Sequence, residues 1–379
     1  MFELIDRPEC VVTGNTNFEI LPAPSPFPYF MGCTSAHQKY DILVQMQWAI
    51  EKNTGMIQLL KLIPEEILYE KSHGSGEIGK KWENHHNTFS KFIKTMSPKN
   101  ILEIGGGHGR LANIFLQDNS SNWTIIEPNP QPSSNTRIKN IKGFFNKDFK
   151  INDYFDAIIH SHTLEHIYYP MEFMENVSSY LKEGDLHIFS IPNLEQMLIQ
   201  NYTNCLDFEH TTFITEPYVD FMLSKNKFKV IKKEYFLEDH SIFYACIKDS
   251  SITELKLAGN LYKKNKKIYL NFINYYNNFV SDMNKVIDLS DSNVYLFGAH
   301  VFSQFLIIAG INYKKITCIL DNDPNKQEKR LYGTSLQVKS PSILAKEIKP
   351  VIILKAGQYN EEIKEQIYRE INREAIFYE

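Results

Sequence analysis

Three glycines spaced two apart, Gly105, Gly107 and Gly109, follow the apolar residues Ile101, Leu102 and Ile104 in the segment NILEIGGGHGRLANIF. Glycine adopts positive φ readily and lets a ligand approach the backbone, so the segment reads as strand, tight turn and helix, a turn shared with dinucleotide-binding folds. The next apolar run, WTIIEPNP, ends at Glu127. A carboxylate at the end of that second strand can accept two hydrogen bonds from ribose hydroxyls. Two details favour S-adenosylmethionine (SAM) over NAD. The third glycine comes one residue too early for G-x-G-x-x-G. Glu103 also precedes the first glycine, where it can help hold the cationic amino-acid end of SAM. SAM is therefore the expected cofactor, on Glu103, Gly105, Gly107, Gly109 and Glu127.

The surrounding pattern supplies the elements such a site needs. Between 99 and 250, β-rich runs (NILEI, WTIIE, FDAIIH, LHIFSIP, FKVIKKEYF, SIFYACIK) alternate with amphipathic stretches (RLANIFLQ, PMEFMENVSSYLK, TEPYVDFMLSK). This alternation predicts a mostly parallel sheet with helices on both faces, and the last two runs predict an antiparallel hairpin at its edge. Residues 1–40 read as turns and extended pieces. Residues 41–70 carry a turn signal at Asn53-Thr54-Gly55 that suggests a hairpin, although their apolar spacing also suits a helix. HGSGEIG at 73–79 is a loop, and 255–285 a helical linker. From 293 a second α/β unit begins: NVYLFGAH, VFSQFLIIAG, ITCILDND and PVIILKAG.

The chain has 379 residues, 43% of them apolar, and a formal net charge of −4. That length suits two or three domains, and the near-balanced charge argues against a nucleic-acid partner. No apolar run approaches the roughly 20 residues that span a bilayer, and the N-terminus lacks a signal-peptide pattern. The expected setting is cytoplasmic, with no membrane partner. Five scattered cysteines include no C-x-x-C pair, so reduced thiols are expected.

The segments ILEIGGGHGR, IIEP and FDAIIHSHTLEHIYYPMEFMENVSSYLKEGDLHIFSIPN together resemble the class I SAM-dependent methyltransferases. The resemblance implies a Rossmann-like core. It places Gly143-Phe144-Phe145 and Asp148 along the adenine, which adds Phe145 and Asp148 to the cofactor residues. His160 and His162 are expected at the end of the fourth strand, facing the mouth of the site, with His162 near both cofactor and substrate.

Over most of its length the chain also resembles the C-methyltransferases that act on nucleotide-linked deoxysugars. The stretches concerned are ECVVTGNTNFEIL with NTGMIQLLKLIPEEILYE, DFEHTTFIT at 207–215, and VYLFGAHVFSQFLIIAGI with CILDNDPNKQEKRLYGTSLQVKSP. The implied layout is a small N-terminal module of degenerate zinc-binding type (1–72), a SAM domain (73–254) and a second, C-terminal Rossmann-like domain (255–379). In that family the histidine of the Glu-His pair is the base. Here that position is His210, with Glu209 to orient it or bind the sugar. A ketosugar carbon becomes nucleophilic only after loss of its α-proton, and histidine suits that step. The same pair could deprotonate a hydroxyl or an amine, so O- and N-methylation stay open, as does an inactive sugar-binding protein. Asp207 and Ser75 are candidate substrate contacts. The implied substrate is a nucleotide-activated ketodeoxysugar, in surface-polysaccharide or secondary-metabolite assembly. The chain departs from the family in two places. Leu206, Asp207 and Phe208 stand where it has a tyrosine. Its two cysteine pairs read Cys10-Val11-Val12-Thr13 and Glu51-Lys52-Asn53-Thr54. A tetrahedral thiolate site needs about four soft ligands; Cys10, Cys33 and His37 fall short, and no metal is expected. In the C-terminal unit, Gly298 and Asp321 imitate a dinucleotide site, but Ala299 and His300 crowd the turn, so that unit is expected to frame structure or substrate.

Overall fold

The computed structural model describes residues 2–69, 79–130 and 135–379; Ser75 lies outside the described residues. Seven strands form the central sheet: β1 (Asn100–Ile104), β2 (Asn122–Glu127), β3 (Ile138–Lys142), β4 (Ala157–Ser161), β5 (Leu186–Pro192), β6 (Phe228–Phe236) and β7 (Ser241–Lys248). Their order is 3-2-1-4-5-7-6. The first five are parallel, and the β6–β7 hairpin closes the edge antiparallel, as the alternation predicts. Helices α1 (Lys80–Lys94) and α2 (Arg110–Phe115) flank one face; α3 (Pro170–Tyr180) and α4 (Glu216–Lys225) flank the other. Side chains along β1 divide between two cores: Ile101 packs with Phe89, Ile93 and Leu111, whereas Leu102 and Ile104 pack with Met174, Val177 and Val219. Burial of both faces explains why the parallel strands read as near-continuous apolar runs. The fold is the Rossmann-like α/β class.

β1 continues to β2 on one side and borders β4 on the other. In an open α/β sheet this reversal opens a crevice outside the strands' C-terminal ends. The loops after β1 and β4 meet there closely, since a Cβ added to Gly105 would stand 2.9 Å from Thr163 Oγ1.

The two readings of 41–70 resolve as a hairpin. Trp48–Glu51 pairs antiparallel with Ile57–Leu59, and Phe18–Ile20 adds on the outer side. Glu51 holds the turn: its Oε2 accepts from the Thr54 backbone N–H (2.7 Å) and hydroxyl (2.8 Å). Cys10 Sγ lies 3.8 Å from Thr54 Oγ1. Positions equivalent to the resembled family's zinc pairs thus adjoin one another, but they present one thiol, two threonines and a carboxylate already committed to backbone. They do not fit a thiolate zinc site. Cys33 is elsewhere, 3.5 Å from Ala299 O, with burial pushing its thiol up to about 12. His37 occupies an exposed turn, accepting from Lys39 N.

This hairpin fixes part of the crevice. Leu59 N donates to Thr211 O (2.9 Å) and Phe213 N to Ile57 O (2.8 Å), so the residues just after His210 form an extra rung on the N-terminal hairpin. Arg7 secures the junction from beneath. Its buried guanidinium donates to Leu59 O, Thr211 O and Tyr168 O at 2.8–3.0 Å and to Thr211 Oγ1 at 3.2 Å. Burial first of all pulls its pKa down to about 10, still fully charged at neutral pH. Arg7→Met removes these donors from Leu59 O, Tyr168 O and Thr211 Oγ1, while Thr211 O keeps the Leu59 N–H. It is expected to lower stability by about 2–3 kcal/mol, the scale for hydrogen bonds to a charged group, read as the midpoint of urea unfolding.

The linker is a 29-residue helix, α5 (Leu261–Leu289). It is more than a connector: Asn265 Nδ2 donates to Gly55 O (2.9 Å) and Tyr218 Oη (2.8 Å), joining the hairpin to α4. The C-terminal unit adds five parallel strands, Val338–Lys339, Cys318–Leu320, Val294–Phe297, Val351–Leu354 and Ile376–Tyr378, in that spatial order. One apolar core runs through Trp48, Leu59, Phe208, Phe213, Tyr276, Leu296 and Ile353, across all three expected segments. Among the described residues, no helix is long and apolar enough to cross a membrane.

Candidate active site

The glycine turn has the shape its spacing predicts. Gly105, Gly107 and Gly109 have φ of 71°, 50° and 68°. Among the described residues, a Cβ on Gly107 would meet nothing within 4 Å. Gly107 N donates to Glu127 Oε2 at 3.3 Å, and Asn129 N to Oε1 at 3.2 Å. The acid at the end of β2 is thus drawn to the rim of the turn. Glu103 is buried behind the turn and accepts from Trp123 Nε1 at 2.8 Å. The left-handed turn with Glu127 at its rim fits the ribose end of SAM, whereas Glu103, expected at the amino-acid end, lies buried behind the turn on Trp123. Glu127→Ala is expected to weaken SAM binding by about 1.5–3 kcal/mol without unfolding the chain. Calorimetric titration checks it; unchanged affinity removes Glu127 from the site.

The other expected cofactor residues sit differently. Phe145 is buried against Phe149, Phe173 and Tyr180, with ring centroids 5.5–5.8 Å apart. Asp148 lies on an exposed turn, its N–H donating to Asn146 Oδ1 at 3.0 Å.

His160 does not face the mouth of the site. Strand alternation turns its ring into the core, stacked on Phe189 at 4.8 Å, with Nε2 3.1 Å from His187 Nε2. His162 stays at the strand end with φ 50°. Its Nδ1 lies 3.2 Å from Glu165 Oε1, and its Nε2 2.7 Å from Ser241 Oγ.

His210 lies beside the short turn Leu164–His166 that follows β4, its ring centroid 4.6 Å from that of His166. Its Nδ1 donates to Asn204 O at 2.8 Å, which leaves Nε2 as the nitrogen available to take a proton. Asp207 Oδ1 accepts from the backbone N–H of both Glu209 and His210 at 2.8 Å, so this candidate substrate contact mainly shapes the loop. Burial alone would pull His210 down, but the carboxylates of Asp207, Glu165 and Glu209 outweigh it and push its pKa up. Burial alone would raise Glu165; its bond to His162 and the nearby histidines hold it down instead. Tyr69 Oη lies 3.3 Å from His166 Nδ1. The site therefore holds Glu165, His166, His210 and Tyr69, with Glu209 adjoining.

Sequence reasoning missed His166 and Tyr69. His166 stands inside HTLEHI and repeats the Glu-His pairing of 209–210, a signal available in the sequence; Tyr69 gave none. In the C-terminal unit, Asp321 Oδ2 accepts from Ala299 N at 2.8 Å and pairs with Lys326, so the chain's own carboxylate occupies the Gly298 turn.

Residues 80–233, less than half of the chain, match the family model of a methyltransferase domain. No curated protein matches the chain in sequence. Similar solved structures include the 1,6-didemethyltoxoflavin-N1-methyltransferase of Burkholderia thailandensis: 14% identity, 44% of this chain and 78% of that one, TM-score 0.36. Human N-acetylserotonin methyltransferase, solved with SAM, is 17% identical over 45% of this chain and 53% of its own, TM-score 0.39. The N-methyltransferase NodS of Bradyrhizobium japonicum is 13% identical over 46% and 99%, TM-score 0.36. The domain match coincides with the 3-2-1-4-5-7-6 sheet and the glycine turn. Residues 80–233 are therefore a methyltransferase domain built on a Rossmann-like sheet.

Proposed function

We propose that this methyltransferase alkylates a carbon of a nucleotide-activated ketodeoxysugar. When bound, SAM supplies an electrophilic methyl group on a sulfonium. The chain's own residues must then make the acceptor nucleophilic. His210, with Nδ1 anchored on Asn204 O, offers Nε2 to the α-proton. His166, beside His210 and linked to Tyr69, can hold the developing enolate oxygen. The observation that carries this reading is the convergence of two Glu-His pairs, 165–166 and 209–210, at the strand ends beside the glycine turn. Two imidazoles with carboxylates near them suit proton removal from carbon better than a substrate already nucleophilic would require. Glu209 raises the proton affinity of His210 through space.

Incubating the protein with SAM and nucleotide-linked ketodeoxysugars in deuterated water tests the proposal. The expected product carries the new methyl on the carbon next to the carbonyl, with α-deuterium incorporated. A methyl found on oxygen or nitrogen replaces this reading with the O- or N-methyl one. Absence of any SAM affinity favours a sugar-binding protein.

The electrostatics give a separate expectation. A base works as the neutral imidazole, so activity falls as pH drops through the His210 pKa, which lies above the ordinary value near 6.5. Asp207→Asn keeps the Oδ1 acceptor that shapes the loop but removes the first of the raising charges. The His210 titration, followed by NMR of its ring protons, is expected to move to lower pH. An unmoved midpoint assigns the raised pKa to Glu165 and Glu209.

A further inference from the structure

We infer that His85, His162 and His240 form a binding site for one divalent transition-metal ion of the zinc type. Each of the three rings offers a nitrogen, and these nitrogens lie within 4.8 Å of one another. They come from three distant segments: the first turns of α1, the end of β4 and the tip of the β6–β7 hairpin. The sheet brings them together. Pro192 at the end of β5 pairs with Ser241 at the start of β7, and His162 N donates to Ser190 O at 2.9 Å.

His85 and His240 are each held at one nitrogen, and His162 at both, by Glu165 and by Ser241 Oγ. His85 Nε2 is 2.9 Å from Ser190 Oγ, His240 Nδ1 is 2.6 Å from Ser241 Oγ, and His162 Nδ1 is 3.2 Å from Glu165 Oε1. The opposite nitrogens of His85 and His240 have no hydrogen-bond partner, although both residues are at most 2% exposed. Histidines held by hydroxyls and a carboxylate are how proteins orient metal-binding imidazoles.

Three imidazoles without a converging set of oxygens select zinc, copper, iron or nickel over magnesium or calcium. At Zn–N distances near 2.0–2.1 Å, tetrahedral ligand nitrogens lie about 3.3 Å apart, which ring movements of roughly 1 Å would achieve here. Ser241 Oγ lies between two of the rings, 2.7 Å from His162 Nε2 and 2.6 Å from His240 Nδ1. Trp82 covers the cluster, with ring centroids 4.8–5.3 Å from all three imidazoles. An ion here would pin α1 and the hairpin tip to the end of β4. The site is separate from the missing thiolate set, and it stands whether or not the sugar is the substrate.

The test uses the full chain stripped with chelator and titrated with zinc, and with cobalt as a spectroscopic substitute. One equivalent is expected to bind, with the visible absorption of tetrahedral cobalt. Anomalous diffraction at the zinc edge is expected to place the ion on His85, His162 and His240. Ser190→Ala, which leaves every ligand in place, is expected to weaken zinc binding 10–100-fold. No stoichiometric metal overturns the proposal, as does an anomalous peak at Glu165, His166 and His210 or elsewhere. Undiminished zinc affinity in Ser190→Ala also counts against it.

Discussion

Replacing His210 with asparagine is expected to reduce turnover by on the order of 10²–10⁴, the usual worth of a positioned general base. Asparagine preserves a donor toward Asn204 O, which now receives from His210 Nδ1 at 2.8 Å, so the loop should keep its shape. It cannot take a proton at neutral pH. SAM affinity should change little, because the residues expected to hold the cofactor, 103–109 and 127, lie in other loops. Proton exchange adds a sharper readout. An enzyme that forms an enolate exchanges the substrate's α-proton with solvent even without methyl transfer, and the variant should abolish that exchange. Near-normal turnover would make His210 structural. Lost turnover with no exchange in the unmodified enzyme would move the proposal to O- or N-methylation.

What could be read from the sequence follows the range of the interactions. The glycine turn, Glu103 and Glu127 lie within one strand–turn–helix–strand stretch, where spacing alone fixes relative position. The sheet was equally legible, because burial on both faces forces apolar runs. His210 was found only through a resemblance, since its place depends on Thr211 and Phe213 pairing with Leu59 and Ile57, some 150 residues earlier. Arg7, which braces that junction, had no local signature. The same holds for Tyr69 beside His166, and for the cluster of His85, His162 and His240. His160 was misplaced because the residues of a strand end face alternate ways. Its neighbour Ser161 is the half-buried one, and His160 turns inward.

That inward turn leads to an expectation about acid. His160 and His187 are fully buried, one nitrogen of each within 3.1 Å of the other, among Phe173, Phe189 and Phe228. Burial holds His187 down to about 3; burial and then His187 itself push His160 far below its ordinary value. Both rings are neutral in the folded chain. The unfolded chain binds protons at them from about pH 6.5 downward, so their contribution is intact above that value and is lost progressively as pH falls toward the folded pKa. Each unit of pH well below 6.5 removes about 1.4 kcal/mol per group. Between pH 8 and pH 5 the pair should lower stability by about 4 kcal/mol, a large part of the ~5–15 kcal/mol that holds a typical domain together. Urea unfolding at the two pH values measures the loss. The double variant His160→Leu, His187→Leu should show a loss smaller by that amount, since no proton can be taken up there. His85 and His240 act in the same direction in both proteins, so the difference isolates the buried pair. Equal acid sensitivity in the two proteins would show that the pair gains access to protons without unfolding, and that the aromatic box around it opens in the native state.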